Sequence, residues 1–134
     1  MKTKSFKPKI ESVHKIQEFV RRKLYIFNCT KKKLMMIDLI IEEIVVNIVN
    51  YGCKGTKNSI VDIAIETSGG NLFLEISDNG VAFNPLNQED PDIEAELDKR
   101  RPGGLGIFFV KQIAKEMQYV RQNNKNIIRL CLDL

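Results

Sequence analysis

Apolar positions first settle into a rhythm at Val13, Ile16, Val20 and Leu24, which follow one another at helical spacing. That pattern predicts an amphipathic helix with Ser12 as its cap, preceded by a short edge strand over Lys4–Lys9 that Pro8 ends. After a break near Asn28-Cys29, Thr30 is placed to cap a long helix running to about Tyr51, with Gly52 past its end. Lys57–Glu66 alternates through Ile60, Asp62, Ile63 and Ile65 as a half-buried strand does. Ser68-Gly69-Gly70-Asn71 then turns the chain into an antiparallel partner over Leu72–Ser77. A polar, turn-rich stretch runs from Asp78 to about Pro102. A helix over Leu105–Gln118 follows, with strands over Tyr119–Arg121 and Ile127–Leu134 around Asn123-Asn124-Lys125. Helix, helix, hairpin, long loop, helix, hairpin is the order of an α+β two-layer sandwich, a largely antiparallel sheet with helices on one face.

Local rules break in three places. In the long helix, Leu34, Ile37, Ile41, Ile44 and Ile48 form an apolar stripe and most other positions are apolar too, so it is buried on most sides. Its polar residues fall into two stripes, Asp38 with Glu42, and Glu43 with Asn47 and Asn50. Beside a cleft, Asn47 offers a neutral oxygen to a hard cation such as Mg²⁺, and Glu43 can polarise a hydroxyl or water. The alternative is scaffolding, with Glu43 paired to a lysine and Asn47 bonded to backbone. Next, Asp78-Asn79-Gly80 follows a hydrophobic strand. An ionised Asp78 accepts hydrogen bonds, as from the exocyclic amine of a base, and a glycine lets backbone approach a ligand; Asp-Asn-Gly also serves as a plain turn. Finally, Pro102-Gly103-Gly104-Leu105-Gly106 opens a helix whose free N–H groups suit phosphate. It is neither a Rossmann fingerprint nor a P-loop.

The size, 134 residues and 15.4 kDa, suits one domain, and 43% apolar with 28% charged residues is ordinary for a globular protein. No apolar run reaches the ~18 residues of a membrane span, and Met1-Lys2-Thr3-Lys4-Ser5 lacks a signal-peptide core, so no membrane association and a cytoplasmic setting are expected. Three cysteines and one histidine fit a reducing compartment better than a zinc cluster or disulfide framework. Charge is lopsided: residues 1–33 carry a balance of +9, the remainder −5. Without interleaved aromatics, this basic head reads as a solvated helix face or a surface for an acidic protein partner rather than a nucleic-acid site, and no direct nucleic-acid contact is expected.

Taken in order, Glu43-x-x-x-Asn47, Asp78-x-Gly80, a variable loop and Gly104-x-Gly106 resemble the N, G1 and G2 boxes of the gyrase–chaperone–histidine kinase–MutL (GHKL) ATPase superfamily. Asp78-Asn79-Gly80-Val81-Ala82-Phe83-Asn84-Pro85 and Gly103-Gly104-Leu105-Gly106-Ile107 look, more narrowly, like the anti-sigma-factor serine/threonine kinases of the RsbW type. The resemblance implies a single ATPase domain over residues 1–134 with a Bergerat-type ATP-binding fold, its mixed sheet backed by helices and its ATP lid at about 86–102. It implies ATP and Mg²⁺ as cofactors, Asn47 as metal ligand and Glu43 as general base. It implies that Asp78 holds the adenine amine with Gly80 allowing close approach, and that Gly104, Leu105 and Gly106 wrap the phosphates while Arg100 or Arg101 neutralises the last one. The implied partners are a sigma factor and an anti-sigma-factor antagonist whose serine or threonine receives the phosphoryl group, with a homodimer as the assembly. The sequence departs from the pattern at Tyr51, where these kinases often carry histidine, and at Asn124-Lys125-Asn126-Ile127, where the usual Gly or Thr has no clear counterpart. Six acids between Glu89 and Asp98 fall in the lid. Two other readings are the catalytic module of a two-component histidine kinase system and a non-catalytic nucleotide-dependent interaction module; His14, the one histidine, suits a surface or packing role better than phosphoacceptance.

Overall fold

In the computed structural model, described here for residues 1–87 and 104–134, the two N-terminal helices form where the apolar spacing puts them. Helix α1 (Ser12–Leu24) buries Val13, Ile16, Val20 and Leu24. Ser12 is not its cap: Glu11 holds that position without a side-chain bond, and Ser12 is buried in the first turn. Backbone carbonyls do the work of a capping oxygen, since Ser12 N–H donates to Lys9 O at 3.0 Å and Val13 N–H to Ile10 O at 3.0 Å. Helix α2 (Lys31–Asn47) is capped as expected, Thr30 Oγ1 accepting from Lys33 N–H at 3.1 Å. Beyond Asn47 the coil widens into a π turn over Ile48–Gly52, closed by Cys53 N–H to Ile48 O at 2.7 Å. Such turns are rare and concentrate at functional sites.

The sheet runs β1-β2-β3-β5-β4, with β1 (Lys2–Phe6), β2 (Val61–Ser68), β3 (Asn71–Asp78), β4 (Glu116–Gln122) and β5 (Lys125–Asp133). The architecture is the expected α+β one with a largely antiparallel sheet, and every pairing among the described residues is antiparallel, with no parallel pair of the kind a mixed sheet would add. Gly69 and Gly70, at φ +57° and +79°, supply the left-handed pair that a tight hairpin between β2 and β3 requires. β2 starts four residues later than its alternation suggested, because Asn79 binds the preceding loop: its Oδ1 accepts from Ile60 N–H at 2.7 Å and its Nδ2 donates to Asn58 O at 3.3 Å.

Helix α3 (Gly104–Ile113) is shorter than its sequence pattern, which ran on to Gln118. Lys115 N–H donates to Cys131 O at 2.8 Å, and Glu116–Gln118 join the β5 ladder. Met117 and Tyr119 then alternate onto the core, so pairing with β5 overrides local helical preference.

The register lines up Ile63, Ile76, Ile128 and Tyr119 in one row and Ile65, Leu74, Leu130 and Met117 in the next. These rows pack with the buried faces of α1 and α2 in a single core. Asp38, one of the two polar stripes of α2, is consumed by this packing: Arg21 of α1 forms an ion pair with it, and Gln17 Nε2 donates to its carbonyl at 3.0 Å. Glu43 and Asn47, of the second stripe, have no such ion pair with α1 among the described residues.

Candidate functional site

β3 ends on the helix-facing side of the sheet at Asp78, in register with Val61 and Asn126. Asp78 is 4% exposed. Its Oδ1 accepts from Gly80 N–H at 2.9 Å and Asn126 Nδ2 at 3.0 Å, with Cys53 Sγ at 3.8 Å. Oδ2 has no donor among the described residues, so one oxygen is locked and the other is available to an outside hydrogen-bond donor. Burial pushes the Asp78 carboxyl above the usual range, opposed by the bonds from Asn126, Gly80 and Cys53 and by the charge of Arg121. Burial likewise raises the Cys53 thiol, with Asp78 adding to it.

Gly80 is required for space rather than for a left-handed turn: a Cβ there would lie 2.0 Å from Gly52 O and 3.0 Å from Asp78 Oδ1. The π turn after α2 is thus seated directly on the end of β3, and Val81 N–H donates to Gly52 O at 2.8 Å. Tyr51 and Phe83 stack beside this junction, ring centres 5.1 Å apart and planes 19° apart.

Glu43 and Asn47 lie one turn apart on α2. Neither half of the scaffolding alternative is built. No lysine pairs with Glu43 among the described residues, and burial, followed by repulsion from Glu42, pushes its carboxyl upward. Asn47 is 5% exposed and its Nδ2 is buried without a partner. Leaving such a donor unsatisfied costs on the order of 1–3 kcal/mol, which sets Asn47 apart from the other buried polar side chains described. The first turn of α3 meets Glu43: a Cβ on Gly106 would fall 1.7 Å from Glu43 Oε2. Gly106, the backbone of Gly104 and Leu105 at the start of α3, and the second polar stripe of α2 therefore belong to one region. Arg100, Arg101 and the acidic lid stretch lie outside the described residues.

Asn126 was not singled out from the sequence. It is 3% exposed and fully satisfied: Nδ2 also donates to Val81 O at 2.8 Å, while Oδ1 accepts from Phe83 N–H at 3.1 Å and Tyr119 OH at 2.5 Å. It ties Asp78, the 81–83 loop and β4 together. The available signal was parity, since Asn126, Ile128, Leu130 and Leu132 share a face and only the first is polar. Arg121 Nη1 secures the same loop through Gly80 O at 2.9 Å.

The donor set suits a magnesium nucleotide. Among the described residues no three carboxylates, thiols or imidazoles converge into an all-protein cage. Mg²⁺ is commonly held by one or two protein oxygens together with phosphates, a role open to the unsatisfied carboxamide of Asn47, whose two ends exchange by a simple flip.

A family model described as the histidine kinase-like ATPase domain matches residues 6–132. The serine/threonine-protein kinase BtrW of Bordetella bronchiseptica is 24% identical over 94 residues, covering 70% of this chain and 66% of that protein. The histidine kinase domain of a blue-light activated histidine kinase from Erythrobacter litoralis superposes with a TM-score of 0.54 at 19% identity, over 75% of this chain and 44% of that one. That structural likeness concerns the fold. The chain spans just under two thirds of the kinase relative and less than half of the solved chain.

Proposed function

Because this chain belongs to the histidine kinase-like ATPase domain family, we propose that it binds ATP with Mg²⁺ and transfers the terminal phosphoryl group to a serine or threonine of a partner protein. The partner in this reading is an anti-sigma-factor antagonist, and the chain also sequesters a sigma factor. The likeness to a serine/threonine-protein kinase supports the choice of acceptor. The observation that carries the reading is the pairing, on one face of α2, of Glu43, a carboxylate with no cationic partner among the described residues, with Asn47, whose buried Nδ2 has no partner.

Each residue then has a task. Asp78 Oδ2 accepts from the adenine amine, while Asn126 and Gly80 hold its other oxygen. Gly80 serves by letting the π turn seat on the end of β3 rather than by opening space for the base, and Gly52 presents no side chain to the Asp78 carboxylate, which a Cβ there would meet at 3.2 Å. Asn47 would hold Mg²⁺, which when bound neutralises charge between the phosphates. Glu43, kept above its ordinary pKa by burial, takes the proton of the attacking hydroxyl. N–H groups at the start of α3 would donate to phosphate oxygens, and Arg100 or Arg101 would supply positive charge for the terminal one. Positioning and charge neutralisation carry most of such a transfer.

The test is phosphosite mapping after incubation of the chain and its co-purifying proteins with labelled ATP, with ADP as control. Acid-stable phosphoserine or phosphothreonine on a partner is expected. Acid-labile phosphohistidine on His14, or nucleotide binding with no transfer to any protein, would overturn the kinase reading.

A further inference from the structure

Away from the nucleotide region, β1 forms one edge of the sheet, and Lys2–Ser5 are exposed. Between this edge and α1 lies a groove of about 700 Å³. Lys4, Lys7 and Lys9 line one wall and Lys15 the other, with Phe6 and Phe19 between them in an edge-to-face contact at 6.1 Å. None of these four lysines is ion-paired among the described residues; Arg22 is occupied by Glu18 at 2.6 Å, leaving Glu11 as the groove's other carboxylate. Lys4 Nζ sits 5.4 Å from the centre of the Phe6 ring, a place that binds the ammonium but leaves its charge uncompensated.

We propose that this groove docks an extended acidic segment of a partner protein, added as a further strand to the open edge at β1. The claim goes beyond the nucleotide site and does not depend on it. Three features select the occupant. An edge strand presents unpaired N–H and C=O groups, which another peptide backbone satisfies and a phosphodiester chain does not. Lys4 and Phe6 share the helix-facing side of β1, in register with Ile63 and Val61, so a neighbouring strand with acids at alternate positions aims them at Lys4 and Lys15. The same lysines oppose a second copy of the chain pairing edge to edge, since like charges would meet across the new ladder. The aromatics do not offer faces for base stacking, because Phe6 is buried and Lys23 covers the Phe19 ring at 5.7 Å.

The probe is a fluorescein-labelled (Glu-Thr)4 peptide, compared with (Gln-Thr)4 and a twelve-nucleotide oligo-dT by anisotropy at low and physiological salt. Saturable binding of the acidic peptide is expected, weaker with added salt and at least tenfold weaker for (Gln-Thr)4. The Lys4→Glu/Lys15→Glu variant changes two exposed side chains, so its circular dichroism should match the parent while affinity falls at least tenfold. Amide hydrogen exchange should slow across Lys2–Phe6 when the peptide is bound. Absence of binding, equal binding by the variant, protection confined to other strands, or tighter binding of oligo-dT would each overturn the proposal, the last in favour of a nucleic-acid surface.

Discussion

Replacing Gly80 by alanine tests the junction on which the site is built. The added Cβ would lie 2.0 Å from Gly52 O, a backbone atom that cannot swing aside as a side chain can. Restoring an ordinary contact requires β3 and the π turn to part by more than an ångström. Two hydrogen bonds stretch in consequence, Val81 N–H to Gly52 O at 2.8 Å and Gly80 N–H to Asp78 Oδ1 at 2.9 Å. Overpacking costs about 1–3 kcal/mol and each weakened bond about 1 kcal/mol, so a loss of roughly 2–4 kcal/mol is expected. Against a typical domain stability of about 5–15 kcal/mol that is a large share. The chain has no tryptophan, so urea unfolding is followed by far-ultraviolet circular dichroism. With a slope of about 2 kcal/mol per molar, the midpoint should fall by roughly 1–2 M at unchanged slope. Gly70→Ala is the control: at φ +79° with nothing within 4 Å, it meets backbone strain alone, about 1–2 kcal/mol. A Gly80→Ala midpoint within about 0.3 M of the parent, less than 1 kcal/mol on that slope, would refute the close approach of the two elements.

Gly106→Ala should behave differently, because the atoms nearest its Cβ belong to the Glu43 side chain, with Oε2 at 1.7 Å, rather than to backbone. Helix propensity favours alanine by about 1 kcal/mol, so stability should hold while displacement of Glu43 lowers phosphotransfer about a hundredfold, read by single-turnover kinetics. Asn126→Ala strips Asp78, Val81 O, Phe83 N–H and Tyr119 OH of a shared partner and should cost roughly 2–4 kcal/mol in urea unfolding, with weaker nucleotide binding. Glu43 must be ionised to act as a base and its pKa is raised, so the ascending limb of the transfer rate against pH should lie above the ordinary carboxylate range. For stability the sign is opposite: with the folded pKa of Asp78 above its unfolded value, the native state binds more protons in that window and loses stability as pH rises through it. Asp78→Asn should flatten that slope in pH-dependent denaturation.

Much of this architecture was legible because periodicity reports burial. Val13, Ile16, Val20 and Leu24 gave α1, Thr30 gave the start of α2, and the paired glycines gave the hairpin. Boundaries failed where distant partners decide them. Glu116–Gln118 became strand because β5 offered a ladder, and β2 began late because Asn79, nearly twenty residues away, held its approach. The two polar stripes of α2 correctly demanded two explanations, and α1 consumed one of them through Arg21 and Asp38. Gly80 and Gly106 stood out as unusual glycines, but only coordinates reveal that one faces backbone and the other a carboxylate. Asn126 stayed hidden because its signal is a single polar residue at the end of an apolar row, visible once the register with Asp78 is known.

Calorimetric titration of Mg-ATP into the parent chain, Asn47→Ala and Asp78→Asn tests the central claim most directly. The parent should bind one nucleotide, Asp78→Asn should bind at least tenfold more weakly with or without Mg²⁺, and Asn47→Ala should lose the part of the affinity that depends on Mg²⁺. Equal affinity in all three folded proteins would contradict the claim that these two residues line a magnesium–nucleotide site.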